Sequence, residues 1–221
     1  MNTLNKMNLM LALLAGTSAC STLAAEKTVA LSAFNSVEIR QGINLTVKCA
    51  ATSSMVVSGS AKTLEKLQVT TNDKALLLVN DAGQTDRLFS NALDITLYTS
   101  EPLKALTGKA GVKIEAPACA IDQHTLTVAG SMGADILVEG KTAELTLDLA
   151  MGGTFNKKPL PFSADVATVR MSMGAQSSLC QVPRISGSLS AGARMSVSPS
   201  AQVDTGATGS FGSDISTSDC S

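Results

Sequence analysis

Four of the five cysteines, a single histidine and a scatter of carboxylates are the side chains in this sequence that could carry chemistry. Cys49, Cys119, Cys180 and Cys220 occur in no Cys-x-x-Cys or Cys-x-x-His arrangement. Neither a zinc cage nor thioredoxin-type exchange is therefore predicted. Their expected chemistry is disulfide formation in an oxidising compartment, with four buried free thiols as the alternative. His124 falls in a predicted turn between Cys119 and a strand near Leu126, and no Gly-x-Ser-x-Gly elbow offers it a nucleophile. It reads as a surface turn residue. Gly133-Ala134-Asp135 and Gly212-Ser213-Asp214 lack the tandem nine-residue repeats of a calcium-binding roll. Gly192-Ala193-Arg194 is followed by no Gly-Lys-Ser/Thr, so it is not a phosphate loop. No catalytic, cofactor-binding or metal-binding residue is assigned, and an enzyme is not expected.

The elements that would position these groups follow from periodicity. Val37 and Ile39 alternate with polar residues, Gln41-Gly42 interrupts, and Ile43, Leu45, Val47 and Cys49 alternate again. This predicts two strands, or one bulged strand, with one buried face. Met55–Val57, Leu67–Thr71, Leu76–Val79 and Leu93–Tyr98 are further strand candidates, Asn80–Asn91 reads as an exposed loop, and residues 63–66 as one helical turn. The second half repeats. Ser131-Met132-Gly133-Ala134-Asp135-Ile136 aligns with blocks beginning at Ala150, Ser172, Ser190 and Ser210, and more weakly at Lys109. The glycines at 111, 133, 152, 174, 192 and 212 are spaced by 22, 19, 22, 18 and 20 residues.

A spacing near twenty with a Gly corner predicts an all-β, right-handed β-helix or solenoid-like stack, each coil one strand spacing (about 4.8 Å) above the last. The N-terminal half is expected to be a more irregular β structure. A meander with Gly turns is the alternative. In the stack, like residues form columns. Met132, Met151 and Met173 are predicted to pack inward, with Ala191 and Phe211 continuing the column; an exposed Met binding stripe is the competing reading. Asp135 and Asp214 share a column with Thr154, Gln176 and Arg194 between them, about 19 Å apart. That is too far for the paired carboxyls of a glycosidase.

The coil count also sorts the cysteines. A disulfide needs Cα atoms within about 7 Å. Cys119 and Cys180 sit three coils apart, about 14 Å, and Cys119 and Cys220 five coils apart. Cys180 and Cys220 are nominally two coils apart, but a free tail can fold back. The predicted pairs are Cys180–Cys220 and Cys49–Cys119.

Residues 1–25 read as a signal peptide: Lys6, the apolar run 9–15, then small residues through Ala24-Ala25. The run is too short to span a membrane. An N-terminal core helix is the alternative to an export signal. Thr17-Ser18-Ala19-Cys20 also resembles a lipobox, in which Cys20 would be acylated. Residues 26–33 read as a linker, 34–215 as one domain and 216–221 as a tail. The chain is expected to be exported, either periplasmic or secreted, with a lipid-anchored envelope protein as the alternative. No transmembrane span is expected in the mature chain.

Composition supports a globular protein of nearly balanced charge. Of 221 residues, 44% are apolar and the net charge is −1 with scattered Lys and Arg, so nucleic-acid binding is not expected. With no Trp, one Tyr and five Phe, the core must come from Val, Leu, Ile, Met and Ala, and aromatic platforms for sugars are scarce.

The segment Phe34–Val47, FNSVEIRQGINLTV, resembles the opening of the head GIN domain family, and Gly42-Ile43-Asn44 matches its name-giving tripeptide. Residues 64–79 and the Gly repeats are also similar to that family. The resemblance implies a β-helix-like fold in exported bacterial proteins described as auto-transporter adhesin heads, with no catalytic residues to carry over. No membrane anchor or translocator is recognisable after the domain. The expected function is a non-catalytic envelope or surface binding module, adhesin-like in ligand use, its ligand a protein or polysaccharide. A carbohydrate-active enzyme, or an assembly protein stacking through open ends and so oligomeric, are the alternatives. Intact-mass measurement of envelope-derived protein should give a chain starting at Ala25 or Glu26, or at acylated Cys20; a chain retaining Met1 would overturn export.

Overall fold

The structure is a computed structural model describing residues 25–81, 92–158, 160–205, 212–217 and 220. The predicted signal peptide with Cys20, most of the Asn80–Asn91 loop, and Phe211 lie outside them. The N-terminal half contains β1 (Ala25–Ala30), β2 (Ser36–Arg40), β3 (Ile43–Cys49), β4 (Ser54–Gly59), the single turn α1 (Ala61–Leu64), β5 (Leu67–Asn72), β6 (Ala75–Asn80) and β7 (Leu93–Thr99). The second half begins with β8 (Ala105–Lys109), β9 (Lys113–Ala116), β10 (Thr125–Ser131), β11 (Asp135–Val138), β12 (Gly140–Leu149) and β13 (Thr154–Phe155). It continues through β14 (Phe162–Met171), β15 (Gln176–Leu179), β16 (Arg184–Leu189), β17 (Arg194–Val197), β18 (Gln202–Thr205) and β19 (Asp214–Ser216). Residues 26–33 are not simply a linker: β1 pairs antiparallel with β4.

These strands make two large sheets. The first runs β1-β4-β7-β3-β9-β11-β13-β15-β17-β19, the second β18-β16-β14-β12-β10-β8-β2-β6-β5. From β8 onward the chain passes alternately from one sheet to the other. Lys113 pairs with Asp135, Asp135 with Thr154, Thr154 with Gln176, Gln176 with Arg194 and Arg194 with Asp214. Each offset equals the spacing of the corresponding glycines. These pairs are parallel, which hairpin turns cannot produce. Among the described residues, antiparallel pairing is confined to β1–β4, β4–β7 and β5–β6, in the N-terminal half.

The core lies between the sheets and follows from alternation. Ile114, Ile136, Phe155 and Met195 occupy one inward column and are almost fully buried. Phe155 meets Phe162 edge to face at 5.3 Å. Ser177, in the same column, is buried and donates its hydroxyl to Met171 Sδ. Asn156 substitutes for a short strand: its amide donates to Val138 O and accepts from Val138 N–H.

The corners decide which side chains reach this core. Met132/Gly133, Met151/Gly152, Met173/Gly174 and Ala191/Gly192 all have φ > 0 at both residues. Ala134, Gly153, Ala175 and Ala193 donate their N–H groups to Ser131, Ala150, Ser172 and Ser190 carbonyls. Each corner is thus a four-residue turn of the I′ kind. Gly133, Gly152 and Gly174 then donate to the carbonyls of Met151, Met173 and Ala191 in the next repeat.

This geometry corrects the expected Met column. Met132, Met151 and Met173 do not pack inward; they are 49%, 47% and 53% exposed, and Ala191, expected to continue their column, is exposed as well. Simple alternation from buried Gly130 places Met132 inward, but positive φ at the turn rotates its Cβ outward. Ala134, Ala175 and Ala193 are the corner residues that enter the core.

Two disulfides fasten the structure. Cys49 is bonded to Cys119, with Cα atoms 6.3 Å apart, and Cys180 to Cys220 at 5.3 Å. On the second sheet, Glu38 accepts hydrogen bonds from Arg40 (2.7 Å) and Lys109 (3.0 Å), joining β2 to β8. Burial alone would raise the Glu38 carboxyl, but these two cations outweigh it and hold it below the ordinary carboxylate range.

Two tests follow. A Cβ on Gly187 (φ +132°) would lie 1.9 Å from Val169 O, whereas one on Gly152 (φ +73°) meets nothing within 4 Å. In urea unfolding, Gly187→Ala should cost about 3 kcal/mol or more, and Gly152→Ala about 1 kcal/mol; equal costs would refute the close-contact account. Because the folded Glu38 pKa is lowered, its stabilisation is present above the unfolded value and lost as pH falls through the folded one. The Tm deficit of Glu38→Gln should be steady near pH 7 and close on acidification below about pH 4; a deficit that persists fully in acid would contradict the ion pairing.

Candidate binding surface

Outward residues form columns as regular as the core. On the first sheet Asp94, Asn44, Lys113 and Asp135 stand side by side, and Thr154, Gln176, Arg194 and Asp214 extend the row. The next outward row holds Thr96, Thr46, Glu115 and Leu137. The tripeptide Gly42-Ile43-Asn44 is legible here as three positions: Gly42 has φ +63° at the corner, Ile43 is buried, and Asn44 faces out.

Two adjoining grooves lie between these rows. One, of about 260 Å³, is lined by Asn44, Thr46, Asp94, Lys113 and Glu115. The other, of about 350 Å³, is lined by Thr46, Glu115, Pro117, Leu137, Glu139 and Leu160. Asn44 Nδ2 donates to Asp94 Oδ1 at 2.9 Å. Lys113 Nζ lies 2.6 Å from Glu115 Oε1, and that hydrogen bond, together with the attraction of the carboxylate, raises the Lys113 pKa. The surface therefore combines an aliphatic floor with an acidic rim.

Asp135 and Asp214 share one row four strands apart, as the repeat predicted, about 19 Å. Thr154 donates its hydroxyl to Asp135. Glu115 pairs with Leu137, so Glu139 is its diagonal neighbour, with Cα atoms roughly 8 Å away by strand spacing and rise. A general acid needs a carboxyl withdrawn from water. Glu139 is exposed, and the Glu115 side chain is 45% accessible and engaged by Lys113. His124 is exposed, and its backbone N–H donates to Asp122. The Thr125 and His124 N–H groups hold the Asp122 carboxyl below its usual range; this is a turn cap. Among the described residues no three His, Cys, Asp or Glu side chains gather to hold a metal, and no helix is long and apolar enough to cross a membrane.

The second sheet presents a plainer face. Thr127, Thr146, Thr168, Ser186 and Asp204 form one exposed row. A hollow of about 390 Å³ lies over Val166, Thr168, Arg184, Ser186, Gln202 and Asp204. Thr46, Leu137 and Glu139 were not singled out from sequence. Alternation marks them as outward, but only the pairing of β3, β9 and β11 brings them together.

A family model described as "Putative auto-transporter adhesin, head GIN domain" matches residues 33–210, and the chain belongs to that family. No curated protein matches the chain. A crystal structure of a putative adhesin from Bacteroides fragilis is similar, with TM-score 0.56 and 14% identity over 89% of this chain and 97% of that one. One from Parabacteroides merdae gives TM-score 0.55 and 11% identity, covering 87% and 95%. A third, from Parabacteroides distasonis, gives TM-score 0.50 and 10% identity, covering 87% and 96%. At these identities the likeness establishes the fold alone.

Proposed function

We propose that this member of the head GIN domain family is an exported, non-catalytic envelope or surface binding module. Its two-sheet stack is a right-handed β-solenoid, the hand that crossovers between parallel strands adopt. It acts in the periplasm or outside the cell, where Cys49–Cys119 and Cys180–Cys220 are stable oxidised.

One observation carries the reading: the adjoining grooves on the first sheet, where Asn44 of the family tripeptide meets Asp94, Lys113, Glu115, Leu137 and Glu139. The grooves are shallow and built on paired strands, so they are preformed and cost little ordering on binding. Their lining includes no aromatic ring for stacking a sugar. Leu137, Leu160 and Pro117 with an acidic rim suit an extended protein segment carrying aliphatic and basic side chains.

Immobilised full-length protein, probed separately with envelope protein extract and envelope polysaccharide, tests this. Leu137→Arg combined with Glu139→Lys should reduce protein capture about tenfold or more while leaving Tm unchanged. Capture of polysaccharide alone, or capture indifferent to both substitutions, would overturn the assignment of this groove.

A further inference from the structure

We propose that the exposed methionine row Met132, Met151 and Met173 is a binding site for a soft monovalent cation of the Cu(I) class. The proposal is independent of the groove on the first sheet.

Three observations carry it. First, the three thioethers lie on successive repeats at the same corner position, and the repeats are locked together there. Gly133 N–H donates to Met151 O and Gly152 N–H to Met173 O. The Cα atoms therefore step along one edge at about one strand spacing, 4.8 Å. An unbranched methionine side chain is long enough for three neighbours at that step to lean toward one ion.

Second, the side chains are about half exposed, at 49%, 47% and 53%. Their turns put small residues, Ser131, Ala150 and Ser172, on one side and Asp135, Thr154 and Gln176 on the other. The cations of these two rows stand at their ends: Lys109 beside Ser131 and Lys113 beside Asp135 are engaged by Glu38 and Glu115, and Arg194 lies beside Gln176, so none adjoins the turn of the central Met151.

Third, the backbone is unfavourable for methionine. Met132, Met151 and Met173 have φ of +52°, +48° and +51°. The left-handed region is disfavoured for an ordinary L-residue, and this position of a I′ turn favours Asn, Asp or Gly. Ala110 and Ala191 hold the equivalent position at the neighbouring corners. Packing does not repay the strain, because these methionines do not enter the core. Soft thioethers select Cu(I) over Zn(II), Mg(II) or Ca(II). Binding is simple coordination, with no electron transfer.

The test uses full-length protein carrying Cys20→Ser, so that no thiol outside the disulfides competes, labelled with ¹³C at the methionine methyls. Ag(I) serves as the air-stable probe. The methyl signals of Met132, Met151 and Met173 should move together and saturate at about one equivalent, while those of buried Met55, Met171 and Met195 stay in place. Zn(II) should move none of them. Met151→Leu should weaken binding at least about tenfold, and the triple Leu variant should lose that equivalent with its Tm preserved. Independent, unsaturated shifts of the three methyls, or unchanged Ag(I) uptake by the triple variant, would overturn the site and leave only an apolar edge. If the triple variant fails to fold, the single Met151→Leu titration decides alone.

Discussion

The left-handed pair at each corner is the constraint on which the rest of the structure depends. Two residues with φ > 0 reverse the chain tightly enough for it to leave one sheet and enter the other after a four-residue turn. The second of the pair, the glycine, then sends its N–H forward to the next repeat. Each such bond contributes only about 1 kcal/mol net. Its larger effect is on register. A slip of one residue would expose every inward side chain, and the corner bond fixes the starting point of each strand.

Fixed register separates the two faces of each strand into different tasks. Inward columns must fit between closely spaced sheets, which explains the use of Ile, Leu, Val and Ala and the near absence of aromatic rings. Gly187 answers a different constraint, within the second sheet: the carbonyl of its pairing partner Val169 occupies the space its Cβ would need. Outward columns carry no such demand. Asn44, Lys113, Asp135, Thr154, Gln176, Arg194 and Asp214 differ in charge, size and shape along a single row.

The same separation accounts for what the sequence disclosed. Glycine spacing and period-two alternation were enough to place Asp135, Thr154, Gln176, Arg194 and Asp214 in one row. The coil count excluded Cys119–Cys180 and Cys119–Cys220, and the added premise of a folded-back tail left the two cysteine pairs that are bonded in the structure. The column reading failed at Met132, Met151 and Met173 because it placed methionine inward by residue type, whereas positive φ in the turns points these side chains outward. Alternation missed β1: Glu26, Lys27 and Thr28 are all exposed and only Val29 packs partly against the core, so the edge strand shows no alternation to read. The grooves were not legible, since Thr46, Glu115 and Leu137 are neighbours only through the order β3-β9-β11.

That order bears on how such a fold recognises anything. The first sheet joins β3, from the irregular half, to β9 and the repeats, and Cys49–Cys119 clamps the two parts close to this junction. The groove lined by Thr46, Glu115, Leu137 and Glu139 therefore crosses the boundary between the antiparallel-containing half and the repeating half. Thr46, Glu115 and Leu137 come from three strands whose mutual register is set by backbone pairing and a covalent link, and Pro117, Glu139 and Leu160 line it from the connections beyond the strand ends. A ligand laid along it meets side chains already in place, so affinity would rest on complementarity with little loss to ordering. Substitutions on outward rows can then alter what is bound without disturbing the inward columns, because the side chains on the two faces of a strand share a backbone and little else.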